Sequence, residues 1–356
     1  MSGRSVAHSL RLKRRLRDLA AQSGQPATAT FELTSRCNLR CAMCYIAGEE
    51  SCAGSPAELP AAAWVELARQ AREAGLVYLT LTGGEALSRP DFFDILGPLT
   101  RMGLVLALYS NATLITEDIA DRLAETRPNR VEVSLYGATE ATYEAVTGVP
   151  GSYARCLQGL DRLLARGLPV VLKSTLTCAN AHELSAMREL AESRGVLFVA
   201  GAVLFSRIDG QPWRDEGIRL SAEDAARLAA QDMAARKVDP ELRQNARRPE
   251  PVGAYRCPAG RSRYLVDSGG AMHVCSLLRQ PGAKPLEVGF AQAWRQLGEF
   301  VAATPPADAE CQDCSLRPYC SRCPGWSYRE TGSLTAPVPY LCQLAEVMRA
   351  RRQADG

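Results

Sequence analysis

Between residues 28 and 205 the hydrophobic pattern alternates short apolar runs with longer segments of helical period. The apolar runs have the length of buried strands and lie at Thr28–Thr34, Leu76–Leu81, Leu104–Tyr109, Val131–Leu135, Val170–Leu176 and Val196–Val199. The segments between them predict helices, among them Ala61–Ala74, Thr116–Ala124, Tyr153–Ala165 and Ala181–Ser193. Strands that alternate with helices in this way predict an α/β fold with a parallel sheet built from βαβ units.

The flanking segments differ in character and suggest domain boundaries. Residues 1–27 predict a basic helix or arm, on which Leu12, Leu16 and Leu19 share one face. We expect a core domain at 28–235, a linker rich in Arg, Pro and Glu at 236–256, a cysteine-rich domain at 257–342, and a C-terminal helix and tail at 343–356.

Three cysteines follow the first predicted strand at a CX3CX2C spacing: Cys37, Cys41 and Cys44. A structural zinc site closes with four ligands, often in two CX2C pairs. Three thiolates on one loop suit a 4Fe–4S cluster better, because such a cluster then keeps one iron without a protein ligand. The alternative is that the three are unrelated core cysteines.

The stretch from Glu32 to Tyr45, ELTSRCNLRCAMCY, closely resembles the cluster-binding loop of the radical S-adenosylmethionine (SAM) enzymes. In that family SAM chelates the open iron, and reductive cleavage of SAM gives a 5′-deoxyadenosyl radical that abstracts a substrate hydrogen. The resemblance implies a partial (β/α)6 TIM-like barrel, in agreement with the six predicted strands. Ligands in such folds bind at the C-terminal ends of the strands.

Polar residues at predicted strand ends are the candidate SAM contacts. Gly83, Gly84 and Glu85 resemble the family's GGE motif, which binds the SAM amino group. Asn111, Ser134 and, more weakly, Lys173 resemble further polar contacts, although strand-end capping would also explain them. No arginine falls near Thr147, where a common variant of the family pairs one with the SAM carboxylate; either another donor or the iron alone holds that group.

The C-terminal third carries seven more clustered cysteines: Cys257, Cys275, Cys311, Cys314, Cys320, Cys323 and Cys342. A hairpin is predicted between the first two, with a turn at Ser268–Gly270. The spacing resembles the SPASM domain of radical SAM peptide-modifying enzymes, with Gly270 and Cys275 forming its GX4C element. Cys320 and Cys323 are one residue closer than usual, and a zinc ribbon is the open alternative.

The resemblance implies SAM and three 4Fe–4S clusters as cofactors. It assigns Cys257, Cys275 and Cys323 to a first auxiliary cluster that has three cysteine ligands. It assigns a second auxiliary cluster to Cys311, Cys314, Cys320 and Cys342. Of the remaining cysteines, Cys156 and Cys178 are expected to be small apolar residues, whereas Cys52 is either a bystander or a redox-active thiol near the first cluster.

Composition and charge limit the possible location and partners of the protein. The net charge of +3 is too small to imply nucleic-acid binding, and no run of 18 apolar residues predicts a membrane span. The basic N-terminus lacks the apolar core of a secretory signal. We therefore expect a cytoplasmic enzyme without a membrane or nucleic-acid partner, and a flavodoxin- or ferredoxin-type electron donor.

Auxiliary clusters beside a radical site suit net two-electron oxidations. The leading hypothesis is a radical SAM oxidoreductase that forms a C–C or C–S crosslink in a ribosomally made peptide. Many such maturases carry an N-terminal leader-binding domain, and the 27 residues before the first predicted strand are too few for one. Either a separate protein supplies that domain, or the short N-terminus favours a small-molecule substrate. A dehydrogenase or epimerase of a small molecule, such as an aminoglycoside, is the main alternative.

Two further alternatives are weaker. Anaerobic sulfatase maturases carry a catalytic aspartate where this chain has Ser276, and a non-enzymatic metal scaffold would need no GGE motif. The sequence identifies no catalytic acid or base; Tyr45, Tyr109 and Tyr136 are weak candidates near strand ends.

Overall fold

The computed structural model describes residues 15–46, 58–210, 217–235 and 254–354, together with Leu12 and Trp213. Cys52, the start of the predicted N-terminal helix and most of the predicted linker lie outside the described residues. The described strands form one sheet in the order β6-β5-β4-β3-β2-β1-β7-β8-β9. They are β1 (Thr28–Glu32), β2 (Tyr78–Thr82), β3 (Val105–Ser110), β4 (Arg130–Ser134), β5 (Val170–Thr175), β6 (Leu197–Gly201), β7 (Arg263–Val266), β8 (Met272–His273) and β9 (Pro281–Ala283).

The first six strands are all parallel and follow chain order, as the alternating pattern predicts. They form an unclosed barrel like part of a TIM barrel, so the predicted fold class is confirmed. β7 then pairs in parallel with β1, and β8 and β9 continue antiparallel. The sheet is therefore continuous from the barrel into the cysteine-rich segment.

Helices cover the outer face of the sheet and fill the connections between strands. In the described part of the chain they span 15–23, Ala61–Glu73, Phe92–Arg101, Glu117–Thr126, Glu140–Thr147, Ser152–Ala165, Leu184–Ser193, Ala222–Ala235, Pro285–Val288, Phe290–Ala303, Ala309–Gln312, Pro324–Thr331 and Pro339–Ala354, with single 3-10 turns at Ala86–Ser88 and Ala181–Glu183. None of these helices is both long and apolar enough to cross a membrane.

Alternation along the strands divides the sheet into an outer apolar face and an inner polar face. Val131 and Val133 of β4 are fully buried in the core between sheet and helices. The residues that alternate with these valines are Arg130, Glu132 and Ser134, and they line the barrel interior. Trp64 is the largest fully buried side chain among the described residues, and its ring centroid lies 5.1 Å from that of Phe31 on β1. The rigid outer layer thus fixes the direction in which the polar interior side chains point.

Candidate active site and cysteine sites

A cavity of about 620 Å³ occupies the barrel interior. Cys37, Cys41 and Cys44 line it just beyond the C-terminal end of β1. Cys275 also lines it, but from the opposite direction: β8 runs antiparallel with His273 opposite Leu265, so the chain after β8 returns toward Arg263 and the N-terminal ends of the strands. One interior space therefore connects the first cysteine loop with a cysteine of the second set.

Backbone hydrogen bonds hold the cysteine loop against the last turn of the helix Glu140–Thr147. The N–H groups of Arg40 and Ala42 donate to the carbonyls of Thr147 and Val146, both at 2.9 Å. Met43 is buried against Val146 in a small apolar cluster. Thr147, where the family often has a nearby arginine, serves here as a backbone support for the loop.

The Gly83-Gly84 pair lets the chain after β2 approach the cysteine loop closely. The Gly84 N–H donates to the Thr34 carbonyl at 2.8 Å, and the Glu85 N–H donates to the Arg36 carbonyl at 2.8 Å. A Cβ atom on Gly84 would lie 2.2 Å from the Arg36 carbonyl oxygen. Both glycines line the cavity, so they combine a structural role with a surface that a ligand can reach.

Glu85 is buried, and its carboxylate accepts three hydrogen bonds from backbone and side-chain groups of the protein itself. The donors are the Asn111 N–H at 2.7 Å, the Ser110 hydroxyl at 3.0 Å and the Leu87 N–H at 3.1 Å. Burial raises the pKa of Glu85 to about 6, and the three hydrogen bonds oppose that rise. Glu85 is not among the residues that line the cavity, and its contact with the SAM amino group stays a prediction.

Replacing Glu85 with Gln is expected to flatten the dependence of stability on pH. The pKa of Glu85 rises from its usual 4.5 to about 6 on folding, so in that window the folded chain binds more protons than the unfolded chain. The contribution to stability is fully present below pH 4.5 and is lost as the pH rises through about 6, a change of about 2 kcal/mol. Anaerobic urea unfolding of both proteins from pH 4.5 to 7 measures this; parallel curves would contradict it.

The other predicted SAM contacts, Asn111, Ser134 and Lys173, all line the cavity. Asn111 bonds to the cysteine loop through Nδ2, which donates to Asn38 Oδ1 at 2.9 Å and approaches Cys37 Sγ at 3.9 Å. Lys173 is partly accessible, with 39% of its side chain exposed. Lys173 therefore provides in the cavity a positive charge that no arginine near Thr147 provides.

An interior ion cluster that the sequence analysis did not identify lies next to Lys173. Glu132 pairs with Lys173 Nζ at 2.9 Å and with Arg130 on its other side, and both Arg130 and Glu132 are buried. Arg263 lines the same cavity. The signal was available: in β4 charged or polar residues alternate with Val131 and Val133, a pattern that indicates a polar face directed into the barrel.

The three candidate tyrosines line the cavity. Burial, followed by the charge of Glu32, raises the pKa of Tyr45 well above its usual value, and its hydroxyl donates to Glu32 at 2.9 Å. Burial also raises the pKa of Tyr136. The ring of Tyr109 lies 4.3 Å from Lys173 Nζ. A catalytic role stays a prediction for all three.

The cysteines assigned to the second auxiliary cluster come together around one cavity of about 150 Å³. Cys311, Cys314 and Cys320 line it from one segment of ten residues, and Cys342 lines it from the helix Pro339–Ala354. Arg322 lies beside it and braces the surrounding loop through its Nη1, which donates to the Ser327 hydroxyl and the Leu334 carbonyl. Four thiols converge there on a space large enough for a cofactor.

The cysteines assigned to the first auxiliary cluster also lie near one another. Cys257 and Cys275 both raise the pKa of Cys323, after burial as the main cause, to about 12. Cys156 is buried in the core and Cys178 is exposed, so the expectation of a small apolar role fits Cys156 better than Cys178.

The cysteine sites fit iron–sulfur clusters by their donor chemistry. Burial, with Cys44 and Cys37 close by, raises the pKa of Cys41 well above its usual value. Thiols in such a setting lose their protons when they bind a metal cation. Across the described ranges, no three His, Cys, Asp or Glu side chains are arranged to bind a single metal ion.

The chain is similar to several known proteins. Residues 31–192 match the model of the Radical SAM superfamily. The chain is 26% identical over 348 residues to the AdoMet-dependent heme synthase of Methanosarcina barkeri (strain Fusaro / DSM 804), covering 90% of this chain and 98% of that protein. It is 26% identical over 303 residues to the mycofactocin maturase MftC of Mycobacterium ulcerans (strain Agy99), covering 81% and 80%. Streptococcus suis SuiB bound to precursor peptide SuiA superposes with a TM-score of 0.71 at 17% identity, covering 90% and 76%.

The barrel, the cysteine loop and the family match together define a radical SAM domain at residues 31–192, and the recognition of a radical SAM enzyme is confirmed. The recognition of a C-terminal SPASM domain is confirmed as well, since the relatives and the solved fold extend across that part of the chain. SAM and one 4Fe–4S cluster are therefore its cofactors, and the non-enzymatic alternative is wrong.

Proposed function

We propose that the enzyme oxidatively modifies a ribosomally synthesised peptide, forming a C–C or C–S crosslink. The observation that carries the proposal is the single cavity that joins the SAM-binding loop to Cys275 of the first auxiliary site. A substrate segment in that cavity would lie between the two sites. This placement suits a reaction that removes a hydrogen atom on one side and an electron on the other.

The residues of the chain provide binding and orientation. When bound, the cluster and SAM together supply a carbon-centred radical able to abstract hydrogen from an unactivated C–H bond. Gly83 and Gly84 present backbone near the loop, Asn111 and Ser134 offer polar groups, and Lys173 offers a charge for a carboxylate. We infer that Cys37, Cys41 and Cys44 hold the SAM cluster.

The inner charges favour a substrate with an anionic group. Arg130, Lys173 and Arg263 line the cavity, and Glu132 is the carboxylate that faces them there. Glu132 pairs with Arg130 and Lys173, so the ion cluster keeps a positive charge. A side-chain or C-terminal carboxylate of a peptide would be stabilised by it.

Two similar proteins support a peptide substrate. They are the mycofactocin maturase MftC, and SuiB, which was solved with its precursor peptide SuiA. The test is anaerobic incubation of the reconstituted enzyme with SAM, a reductant and the peptide encoded beside it. We expect 5′-deoxyadenosine and a peptide mass lower by two hydrogen atoms. An unchanged peptide without 5′-deoxyadenosine would contradict the proposal.

A second candidate is a tetrapyrrole substrate, because the heme synthase relative aligns over 98% of its own length. The cationic cavity would also suit the carboxylate side chains of a porphyrin. Titration with an iron porphyrin that bears propionate groups distinguishes the two candidates. A saturable shift of its Soret band, together with an unmodified peptide, would favour the tetrapyrrole.

We further propose two auxiliary 4Fe–4S clusters, the first with three cysteine ligands, and a flavodoxin- or ferredoxin-type donor in the cytoplasm. A separate leader-binding protein completes the proposed partners. The convergence of Cys311, Cys314, Cys320 and Cys342 on one cavity supports the second auxiliary cluster. Ser276 in place of the aspartate argues against sulfatase maturation.

Replacing Cys314 with Ala is expected to remove one cluster from the chain. Iron should fall from about 12 to about 8 atoms per chain, because the second auxiliary cluster would lose one of the four cysteine ligands around which its solvent-near site is built. Iron and sulfide analysis after anaerobic reconstitution measures it. Zinc in place of iron at this site in the wild-type protein would contradict the assignment and support a zinc ribbon.

A further inference from the structure

Tyr45 directly follows the last cysteine of the SAM-binding loop, and its hydroxyl is connected to the C-terminal domain. The hydroxyl donates to Glu32 Oε1 at 2.9 Å. Glu32 ends β1 and is 4% exposed, so its charge requires a partner. Arg279, 247 residues further along the chain, donates to both carboxylate oxygens at 2.8 and 3.0 Å. The planar guanidinium forms a two-point contact that a lysine cannot reproduce.

The ring of Tyr45 is connected to the same domain by a second route. It lies edge-on to Phe205 with centroids 6.0 Å apart, and Phe205 lies edge-on to Trp326, again at 6.0 Å. The main-chain N–H of Trp326 donates to Cys323 Sγ at 3.4 Å. Aromatic pairs at such distances and angles stabilise one another beyond their buried area. The contact chain therefore runs from the SAM-binding loop to a predicted ligand of the first auxiliary cluster.

The backbone of Tyr45 makes a third connection. Its carbonyl accepts the Ile208 N–H at 3.0 Å, and the Ile208 carbonyl accepts Nη1 of Arg329. Arg329 also donates through Nε to the Leu277 carbonyl at 2.6 Å. Any one of these contacts is ordinary packing. Together they join the hydroxyl, the ring and the backbone of one loop residue to the C-terminal domain.

We propose that Tyr45 is a positioning residue that fixes the SAM-binding loop relative to the SPASM domain. The group formed by Tyr45, Glu32, Arg279, Phe205 and Trp326 is called the Tyr45 clamp. It sets the orientation of the cysteine loop over the cavity and the spacing between the loop and Cys323. The proposal rests on the proposed function in one respect, namely that the loop holds the SAM-binding cluster.

The hydroxyl route is tested by Tyr45→Phe and Arg279→Lys. Tyr45→Phe keeps the ring and removes the hydrogen bond, whereas Arg279→Lys keeps the charge and removes the two-point contact. Partners behind a metal ligand typically change activity by 10- to 100-fold, so we expect SAM cleavage without substrate to fall about 10-fold in each variant at unchanged iron content. The EPR spectrum of the reduced protein should change in its SAM-dependent part, which reports only the cluster that SAM contacts.

Tyr340→Phe is the matched control. The Tyr340 hydroxyl is buried, and among the described residues it has no hydrogen-bond partner. Its removal should leave both the cleavage rate and the SAM-dependent EPR change at wild-type values. Phe205→Leu tests the ring route independently and should alter the same EPR change, even if Arg279→Lys does not fold.

A double-mutant cycle decides whether the two hydroxyl-route residues act together. Because Tyr45 and Arg279 both act through Glu32, the double variant should lose less activity than the product of the two single losses. Multiplicative losses, or variants indistinguishable from wild type, would overturn the clamp while leaving the proposed function intact. A wild-type protein without a SAM-dependent EPR change would overturn both.

Discussion

Replacing Cys41 with Ala is expected to abolish the reductive cleavage of SAM and to leave the barrel folded. Cys41 is one of three thiols on the loop, and a cluster that has lost one of three protein ligands cannot keep its geometry toward SAM. The loop itself is held by backbone bonds from Arg40 and Ala42 to the 146–147 segment, which the substitution leaves in place. Anaerobic assays for 5′-deoxyadenosine measure the loss, and circular dichroism checks the fold.

The matched control for this substitution is Cys178→Ala. Cys178 is exposed, and its thiol contacts the Arg219 carbonyl at 3.4 Å, away from the three-cysteine loop. Its removal should lower neither iron content nor SAM cleavage. If Cys41→Ala cleaved SAM as fast as the wild type, the loop would not be the SAM site.

Replacing Gly84 with Ala is expected to displace the cysteine loop and to lower both stability and cluster content. The new Cβ would lie 2.2 Å from the Arg36 carbonyl oxygen and 2.7 Å from the Ser35 carbonyl oxygen. Backbone atoms cannot move aside as a side chain does, so the hydrogen bonds from Gly84 and Glu85 to Thr34 and Arg36 would break. Overpacking of this kind costs about 1–3 kcal/mol or more.

Gly97→Ala is the control, since Gly97 lies inside the helix Phe92–Arg101 and a Cβ there meets only the flexible end of Arg101 at 3.5 Å. That change should be neutral or stabilising by about 0.5–1 kcal/mol. Thermal unfolding and iron analysis of both variants make the comparison. Equal effects of the two substitutions would mean that the close approach at Gly84 is not important.

The barrel could be predicted from the sequence because each strand carries its own local signal. Six apolar runs of strand length, separated by helical periods, are sufficient to place β1 to β6 within a few residues. The CX3CX2C spacing and the later CX2C pairs are equally local. Cys311, Cys314 and Cys320 could therefore be assigned to one site before any contact between them was known.

Side-chain direction and long-range pairing could not be predicted in this way. Glu85 matches a ligand-binding motif, yet its carboxylate accepts from Ser110 and Asn111 because the tight Gly84 turn brings it to the end of β3. The pairing of Glu32 with Arg279 spans 247 residues, and no local pattern predicts which buried carboxylate meets which arginine. These contacts follow from how β7 docks on β1, which is a property of the whole fold.

The parallel pairing of β7 with β1 has a consequence for dissecting this enzyme. An excised barrel ending near residue 235 would leave the main-chain donors and acceptors of β1 open to water and to other chains along the register from Thr28 to Phe31. Unprotected strand borders of this kind recruit further strands and promote aggregation. The cysteine-rich region thus also keeps this strand edge covered and the protein soluble. The two parts are best expressed, purified and engineered as one piece.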